Sequence, residues 1–394
     1  MDPIPAIQSM HRWEAYFSAP EGSSAFQFLY GKDSEALQVE RYRRVLCGFA
    51  ARFGEFPVAL ISAPGRTELC GNHTDHQHGR VLAAAVSLDL IAAVHPNEGS
   101  TMRVCSEGFG EATVSLENLA PCAAECGTSA ALVRGVAAAL RRAGFRAGGF
   151  DAFILSDVPQ GSGLSSSAAF EILLGTIHNI LFNAGTIPPI ELAKAGQTAE
   201  NAYFGKPCGL MDQAASALGG AHCIDFANPD CPDARKVPCD FDTHGVSLFI
   251  VNAGGSHAGL TQEYADIPAE MCSVAECFGC KVLREVSPAA FRAELPLLRG
   301  RIPDRALLRA MHFFAENERV LQMAEALQAG DMEAYRKGML ASGASSMALL
   351  QNVYPVSSVA ERSLSLALAL AENCLGPCGG AWRPALPSGP CPSS

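Results

Sequence analysis

The chain has 394 residues, of which 48% are hydrophobic and 18% are charged, and its formal net charge is −11. This composition indicates a packed globular protein with room for two domains and excludes a disordered chain. The acidic balance, without a dense Lys/Arg run, argues against a nucleic-acid partner. No apolar run reaches the ~18 residues that a membrane span requires, and the segment from Met1 to Glu14 does not resemble a secretory signal. We therefore expect a cytoplasmic protein without a membrane partner.

The predicted elements place strands mainly in the first half of the chain and helices in the second, which is typical of an α+β fold. The stretch at 20–24 is polar and is expected to be irregular. In chain order we expect a helix at 34–52, a buried strand at 58–63, further strands within 81–94, a helix at 132–143, a strand at 150–155, helices at 167–183 and 189–204, a buried strand at 247–251, and helices at 263–276, 303–329 and 332–352.

Fifteen cysteines are scattered through the chain, many of them in apolar segments. We interpret them as reduced cytosolic thiols. Cys272, Cys277 and Cys280 have a metal-like spacing, but a zinc site usually needs a second pair of ligands and none lies nearby in the sequence.

The strongest local motif is VPQGSGLSSSAA at 158–169, between a predicted strand and a predicted helix. The N–H groups of a Gly/Ser-rich turn and the positive end of the following helix suit a phosphate group. The serine hydroxyls at 165–167 can cap the helix or ligate Mg²⁺. A flexible linker is the alternative, but the flanking strand and helix argue against it. No Gly-Lys-Ser/Thr follows, so this is not a Walker motif.

Two further segments concentrate polar residues. APGRTELCGNHTDHQHG at 63–79 directly follows a predicted buried strand and predicts a pocket for a polar ligand. Its histidines at 73, 76 and 78 could instead bind a metal, although zinc sites usually take ligands from separate elements. PCGLMDQ at 207–213 follows Glu200 and places Asp212 after a glycine-led turn, where it is a candidate base.

Together these motifs resemble the GHMP kinase superfamily and, within it, the galactokinases. Residues 65–76 are similar to the galactokinase signature G-R-x-N-L-I-G-E-H-T-D-Y, residues 163–168 to the ATP loop G-L-S-S-S-A, and residues 207–213 to the catalytic loop. NAGGSHAGLTQEY at 252–264 is similar to the family segment N-S-N-x-x-H-S-L-x-x-S-E-Y. The four motifs occur in the family's order over roughly half the chain.

The resemblance implies a role for each matched residue. Asp212 is expected to be the base, or the anchor, for the anomeric hydroxyl, with Arg66 beside it to keep Asp212 ionised and to stabilise the transferring phosphoryl group. Ser167 and Glu200 are expected to hold Mg²⁺. The residues expected to bind the sugar are Asn72, His73, Asp75, Gly209 and Tyr264. Those expected to bind ATP are Gly161, Ser162, Gly163, Leu164, Ser165, Ser166 and Ser167.

Several residues depart from the family's pattern. Asn72 stands at a glutamate of the signature, Glu68 at an asparagine and His76 at a tyrosine. Because an amide donates as well as accepts hydrogen bonds, Asn72 puts the identity of the sugar in question. Galactose is the first expectation, and another hexose or an N-acetylhexosamine is the alternative. The family's motif G-A-G-F-G-G has only a trace here, at 379–382, which leaves a truncated or non-catalytic relative as a further alternative.

The resemblance also implies the fold and the partners. We expect the α+β GHMP kinase fold, with a ribosomal protein S5 domain 2-like domain at 1–216, an incomplete ferredoxin-like domain at 217–375 and an irregular Pro/Ser-rich tail at 376–394. The implied activity is that of an ATP-dependent sugar 1-kinase with ATP and Mg²⁺ as cofactors. The protein is expected to be a monomer whose partners are the sugar and ATP.

Overall fold

The computed structural model describes residues 6–108, 110–159, 163–239, 241–251, 253, 261–355, 360 and 362–375. Its strands form one sheet and are β1 (Ala59–Cys70), β2 (Arg80–Pro96), β3 (Thr101–Ser106), β4 (Gly110–Ser115), β5 (Phe150–Ser156), β6 (Ala221–Asp225) and β7 (Asp233–Lys236). Its α-helices are α1 (Met10–Phe17), α2 (Pro20–Tyr30), α3 (Glu35–Phe53), α4 (Ser129–Arg142), α5 (Ser166–Phe182), α6 (Pro189–Ala199), α7 (Met211–Leu218), α8 (Thr261–Glu276), α9 (Pro288–Leu298), α10 (Asp304–Ala329), α11 (Met332–Ser345) and α12 (Ser363–Leu375). Two π-helical segments, Glu200–Phe204 and Ser346–Leu350, continue α6 and α11.

Strand β2 organises the sheet because it pairs with three other strands. It runs antiparallel to β1 along most of its length, to β5 through Leu90–Pro96 and to β6 through Arg80–Ala84. The strand order is β4-β3-β5-β2-β6-β7, with β1 on the other side of β2. The β3–β5 pair is parallel, whereas the other pairs are antiparallel. The long strand β2 thus joins the two halves of the sheet.

The middle of the sheet is buried on both faces. Along β2, Ala92 and Val94 belong to the core shared with α4–α7. The alternate residues Ile91 and Ala93 belong to the core shared with α1–α3. Since successive side chains of a strand point to opposite faces, this alternation fixes the register of the strand between two helical layers.

Strand β1 is interrupted by register shifts between Pro64 and Arg66 and between Glu68 and Cys70. Such bulges tolerate proline in a strand and redirect the side chains that follow. At the first bulge, a Cβ on Gly65 would lie 3.0 Å from the Leu164 carbonyl oxygen. The Arg66 amide donates to that same oxygen at 3.1 Å. The bulge therefore brings β1 into direct contact with the Gly/Ser-rich loop.

Helix α10 packs where β1, β2 and β6 meet. Leu69, Leu82 and Cys223 from the strands share one buried cluster with Val320 and Met323 of α10. Within the described residues after β7, the regular structure consists of helices, and α8, α9 and α10 form a second apolar cluster among themselves. The cluster that α10 forms with β1, β2 and β6 places the helical second half of the chain against the end of β1.

Most of the elements predicted from the sequence are confirmed with small changes in their bounds, and the strands expected within 81–94 form the single strand β2. The expectation of an irregular stretch at 20–24 is wrong, because these residues begin α2. Pro20 lies at the start of the helix, where its fixed φ is favourable, and Glu21 lies in the first turn, where a negative charge is stabilised.

The predicted buried strand at 247–251 is also wrong. These residues have no regular structure, and the side chains of Leu248, Phe249, Ile250 and Val251 are exposed, with Phe249 at 82%. An apolar run predicts burial only if another element pairs with it, and none of the described strands does so.

Some expectations concern residues outside the described ranges. They are the tail at 376–394 with its glycine trace at 379–382, Gly161 and Ser162, and most of the segment 252–260. The domain boundary between residues 216 and 217 stays a prediction; β6 and β7, which follow it, extend the same sheet. None of the described helices is both long enough and apolar enough to cross a bilayer.

Candidate active site

Arg66 and Asp212 form the centre of the site. Arg66 Nε donates to Asp212 Oδ1 at 2.8 Å and Nη2 donates to Oδ2 at 2.7 Å, while Nη1 donates to the carbonyl oxygen of Gly163. The Ser165 hydroxyl also donates to Asp212 Oδ2. The structure thus joins the residues that follow the first bulge of β1, the Gly/Ser-rich loop and the start of α7, as the sequence predicted for the two catalytic candidates.

The charge state of Asp212 follows from this pairing. Burial alone raises the pKa of Asp212, but the charge and hydrogen bonds of Arg66, with a further bond from Ser165, outweigh it and hold the pKa below that of an ordinary aspartate. The Arg66 side chain is only 2% exposed, whereas that of Asp212 is 25% exposed. Asp212 is therefore an ionised carboxylate that a ligand can reach.

The Gly/Ser-rich loop ends at the N-terminus of α5. Gly163 has φ +81°, which glycine adopts without strain, and Ser165 has φ +54°, which a serine rarely adopts. Gly163 and Leu164 are buried, while Ser165, Ser166 and Ser167 are half-buried. Strained backbone at a helix N-terminus is a common feature of functional sites, and the free N–H groups of the first turn suit an anion.

The two residues expected to bind Mg²⁺ lie side by side. The Ser167 hydroxyl donates to Glu200 Oε1 at 3.1 Å. Lys206 Nζ also donates to Glu200 Oε1, at 2.6 Å, and Gln213 Nε2 donates to Oε2 at 2.9 Å. Burial lowers the pKa of Lys206, but Glu200 raises it more, so that the ammonium stays charged.

The donor atoms fit a magnesium ion. Two ligands at right angles around Mg²⁺, each 2.0–2.1 Å from the ion, lie about 2.9 Å apart, close to the 3.1 Å between the Ser167 and Glu200 oxygens. Both donors are hard oxygens, as Mg²⁺ prefers. The Lys206 ammonium occupies the same carboxylate oxygen and would share it with an ion or give way to it.

Asp75 and Gly209 lie in contact across the site. A Cβ on Gly209 would lie 1.7 Å from Asp75 Oδ2, so that a residue with a side chain does not fit at 209 without a displacement of Asp75. Asp75 Oδ2 accepts from the Met211 amide at 3.4 Å, and Oδ1 accepts from the amide of His76 at 2.9 Å. The first and third motifs therefore meet here, directly beside Asp212.

His73 and Tyr264 form a ring contact, with their centroids 4.9 Å apart. His73 is nearly buried and has φ +57°, a left-handed backbone conformation that is uncommon for a histidine. Tyr264 lies in the first turn of α8, far from His73 in the sequence. The structure thus brings together the first and fourth motifs at the expected sugar-binding residues.

Asn72 is held from the helical second half of the chain. Its side-chain Nδ2 donates to the Ser346 hydroxyl at 2.9 Å, and its backbone carbonyl oxygen accepts from His312 Nε2 at 2.8 Å. Burial lowers the pKa of His312, so this ring is neutral, and Nδ1 accepts from the Ser345 hydroxyl at 2.8 Å. Asn72 Oδ1 is buried and has no hydrogen-bond partner among the described residues.

The neighbouring backbone is fixed by Glu316 of α10. Its Oε1 accepts from the Gly71 amide and the Cys70 thiol, both at 3.2 Å, and from the Ser342 hydroxyl. Within the described part of the chain, no three His, Cys, Asp or Glu side chains are grouped so that they could hold a metal ion. Among the histidines of the first motif, the His73 ring contacts the rings of His76 and Tyr264.

Two family patterns match the chain. The GHMP kinases N terminal domain matches residues 102–220, and the galactokinase galactose-binding signature matches residues 48–96. The galactokinase of Streptomyces coelicolor is 34% identical over 330 residues, which cover 83% of this chain and 83% of that protein. The chain belongs to the galactokinase family. Another galactokinase, from Actinobacillus pleuropneumoniae serotype 3, is 35% identical over 299 residues, or 75% of each chain.

Solved structures agree with this assignment. The galactokinase of Lactococcus lactis, complexed with galactose, aligns with a TM-score of 0.72 and 25% identity over 84% of each chain. A mevalonate kinase aligns with a TM-score of 0.53 and 15% identity over 84% of this chain and 88% of that one, a likeness of fold alone. The GHMP kinase fold expected from the sequence is confirmed, as is the galactokinase family.

The site of this galactokinase-family protein includes residues that the sequence did not single out. Lys206 and Gln213 both contact Glu200, and both lie at the edge of PCGLMDQ, so their position was an available signal. His312 and Ser346 lie 240 and 274 residues from Asn72, and nothing in the local sequence indicated either contact.

Proposed function

We propose that this protein is a galactokinase that transfers the γ-phosphoryl group of ATP to the anomeric hydroxyl of galactose. The observation that carries the proposal is the ionised Asp212, held by Arg66 between the N-terminus of α5 and the Asp75–Gly209 contact. This arrangement supports a phosphate on one side of the carboxylate and a polyol on the other. The galactokinase relatives and the matched galactose-binding signature support galactose as the polyol.

Asp212 is proposed to anchor the anomeric hydroxyl and to accept its proton late in the transfer. Its lowered pKa makes it a weak base. Phosphoryl transfer passes through a loose transition state, in which the attacking oxygen needs little activation before the bond to the leaving ADP weakens. A well-placed carboxylate of low pKa is then sufficient. Arg66, which also contacts the Gly/Ser-rich loop, would stabilise charge on the transferring group.

Ser167 and Glu200 are proposed to hold Mg²⁺, which when bound would neutralise charge on the β- and γ-phosphates. The N–H groups at the start of α5, together with the loop at 161–167, would position the triphosphate. Gln213 would orient Glu200 through its 2.9 Å bond to Oε2. Asn72, His73, Asp75, Gly209 and Tyr264 are proposed to bind the sugar hydroxyls.

We further propose that the enzyme works as a cytoplasmic monomer with the sugar and ATP as its partners. Exposed thiols at Cys47, Cys126 and Cys277 suit a reducing compartment.

The test is the formation of ADP by purified protein with Mg²⁺, ATP and a panel of galactose, glucose and N-acetylgalactosamine. We expect turnover with galactose and loss of turnover in Asp212→Ala. Phosphorus NMR should show that the product carries its phosphoryl group at C1. Turnover with another hexose but not with galactose would identify that hexose as the substrate. Folded protein that turns over none of the sugars would contradict the proposed activity.

A further inference from the structure

Glu68 is a fully buried acidic residue whose carboxyl group makes no hydrogen bond to the described residues. Its side chain is 0% exposed, and neither Oε1 nor Oε2 has a partner among the described residues. Leaving a buried polar group unpaired costs free energy, so such a group is rarely retained without a purpose. Ligand binding is one way in which its hydrogen-bonding capacity can be satisfied.

The position of Glu68 directs it towards the site. Between the two bulges of β1 the pairing with β2 is regular, with Arg66 opposite Ala85 and Glu68 opposite Ala83. Arg66 and Glu68 therefore lie on the same face of the strand. The charged groups that act on Glu68 are Arg66, Asp75, Glu316 and Asp212, three of which line the proposed sugar and phosphoryl sites.

These surroundings determine which ligand Glu68 can meet. Burial above all, with the negative charges of Asp75, Glu316 and Asp212, raises the pKa of Glu68 to about 8, although the positive charge of Arg66 acts in the opposite direction. At neutral pH the side chain is a neutral carboxyl that donates one hydrogen bond and accepts others. A neutral carboxyl is a poor ligand for a cation, whereas a sugar hydroxyl both donates and accepts, and therefore matches it.

We propose that Glu68 is a sugar-binding residue that hydrogen-bonds the hydroxyl groups of the hexose and contributes to the choice of sugar. This inference rests on the proposed function, since it names a further residue of the same sugar site. The hydrogen bonds form when the sugar enters, and they satisfy both oxygens of a side chain that has no hydrogen-bond partner among the described residues.

Asn72, which stands where the signature has a glutamate, supports this assignment. Its Nδ2 is committed to Ser346, which leaves the buried and unpartnered Oδ1 as its remaining group for a ligand. Relative to the signature, the carboxyl and the amide of this segment have exchanged places between positions 68 and 72. The chain therefore retains one carboxyl and one amide for the sugar, in the reverse order.

The experiment compares Glu68→Met, Glu68→Gln and the wild type by isothermal titration calorimetry, with galactose and, separately, with ATP. Glu98→Met is the matched control, because Glu98 is an exposed glutamate in the turn between β2 and β3. We expect Glu68→Met to weaken galactose binding about 10- to 100-fold, the effect of losing buried hydrogen bonds, and to leave ATP affinity within about twofold. Its melting temperature should equal or exceed that of the wild type, because an unpaired buried carboxyl is removed.

Glu68→Gln provides the conservative rescue, since an amide also donates and accepts. We expect it to bind galactose within about threefold of the wild type at neutral pH. A bound sugar that hydrogen-bonds Glu68 favours the neutral form of the carboxyl. The galactose affinity of the wild type should therefore fall as the pH rises above about 8, whereas the galactose affinity of Glu68→Gln should not.

The outcomes separate this inference from the proposed function. Wild-type protein that binds another hexose but not galactose changes the proposed substrate, and the three variants are then compared on that sugar. Wild-type protein that binds no hexose overturns both proposals. Glu68→Met with unchanged sugar affinity overturns this inference alone, as does a loss of melting temperature that accompanies equal losses of sugar and ATP affinity, because such a pattern would mark a structural residue.

Discussion

Arg66 and Asp212, 146 residues apart in the sequence, meet in a two-point ion pair in which each carboxylate oxygen accepts from a different guanidinium nitrogen. The planar guanidinium matches the geometry of the carboxylate, which a lysine cannot do. The same Arg66 contacts the Gly163 carbonyl oxygen. One side chain therefore fixes both the proposed anchor of the sugar hydroxyl and the loop that precedes α5.

Arg66→Lys should keep the charge but lose the two-point contact and the bond to Gly163. We expect kcat to fall about 100-fold, which corresponds to ~2.7 kcal/mol of transition-state stabilisation. Steady-state kinetics with saturating galactose and ATP would measure it. Arg336→Lys, which alters an ion pair with Glu333 on α11, is the control and should retain full activity. A kcat for Arg66→Lys within twofold of the wild type would contradict the role of the paired geometry.

Gly209→Ala should disable the sugar side of the site. The added Cβ would overlap Asp75 Oδ2 at 1.7 Å, so either Asp75 or the 207–210 turn must move. We expect kcat/KM for galactose to fall at least about 100-fold, since small misplacements of positioning groups have effects of this size, with ATP affinity retained. The matched control is Gly99→Ala, where a Cβ would meet its nearest atom at an ordinary 3.5 Å. Equal activity of the two variants would show that Asp75 does not bind the sugar.

Glu200→Gln and Ser167→Ala should weaken the use of magnesium. We expect the Mg²⁺ concentration for half-maximal activity to rise about tenfold or more in each, because each variant loses one oxygen ligand. Activity titrated with MgCl₂ at fixed ATP tests this, and Mn²⁺ binding followed by electron paramagnetic resonance tests it without turnover. Glu191→Gln, which changes a half-exposed glutamate of α6 paired with Lys194, should leave both curves unchanged.

The pH dependence of the free energy of unfolding should reveal the raised pKa of Glu68. The unfolded chain releases the proton of a glutamate near pH 4.5, whereas folded Glu68, beside Arg66, Asp75, Asp212 and Glu316, retains it up to about pH 8. Rising pH within this window therefore favours the unfolded state, by up to roughly 1.4 kcal/mol per pH unit. The free energy of unfolding of Glu68→Gln, measured by urea denaturation, should exceed that of the wild type by an amount that grows from pH 5 to pH 8 and then levels off. A constant difference would show that Glu68 ionises normally.

Much of the site could be predicted from the sequence because its motifs are local. The sequence pattern around 158–169 predicts a strand, a turn and a helix that form a phosphate-binding unit. Arg66 and Asp212 lie in motifs of only a few residues. The family order of these motifs then implied that they meet in space. The structure confirms that Arg66, Asp212 and the loop at 163–165 are in contact.

The remaining features depend on partners that no local pattern encodes. The contacts of Asn72 with Ser346 and His312 span most of the chain, so nothing within the first motif could indicate them. The segment 247–251 shows the opposite failure, because its apolar run predicted a strand that finds no partner among the described strands. Glu68 was visible as a departure from the signature, but its burial and its lack of partners required the structure.

The anchoring of the Gly71–Asn72 backbone by α10 has a consequence for how the protein matures. Glu316 and His312 reach this turn across 245 and 240 residues. Contacts so distant in sequence close large loops and therefore form late during folding. The nascent chain would complete its sheet before the turn at 71–72 acquires its final shape. Competence to recognise a sugar would then be the last property that the molecule gains, and the first that it loses when α10 detaches.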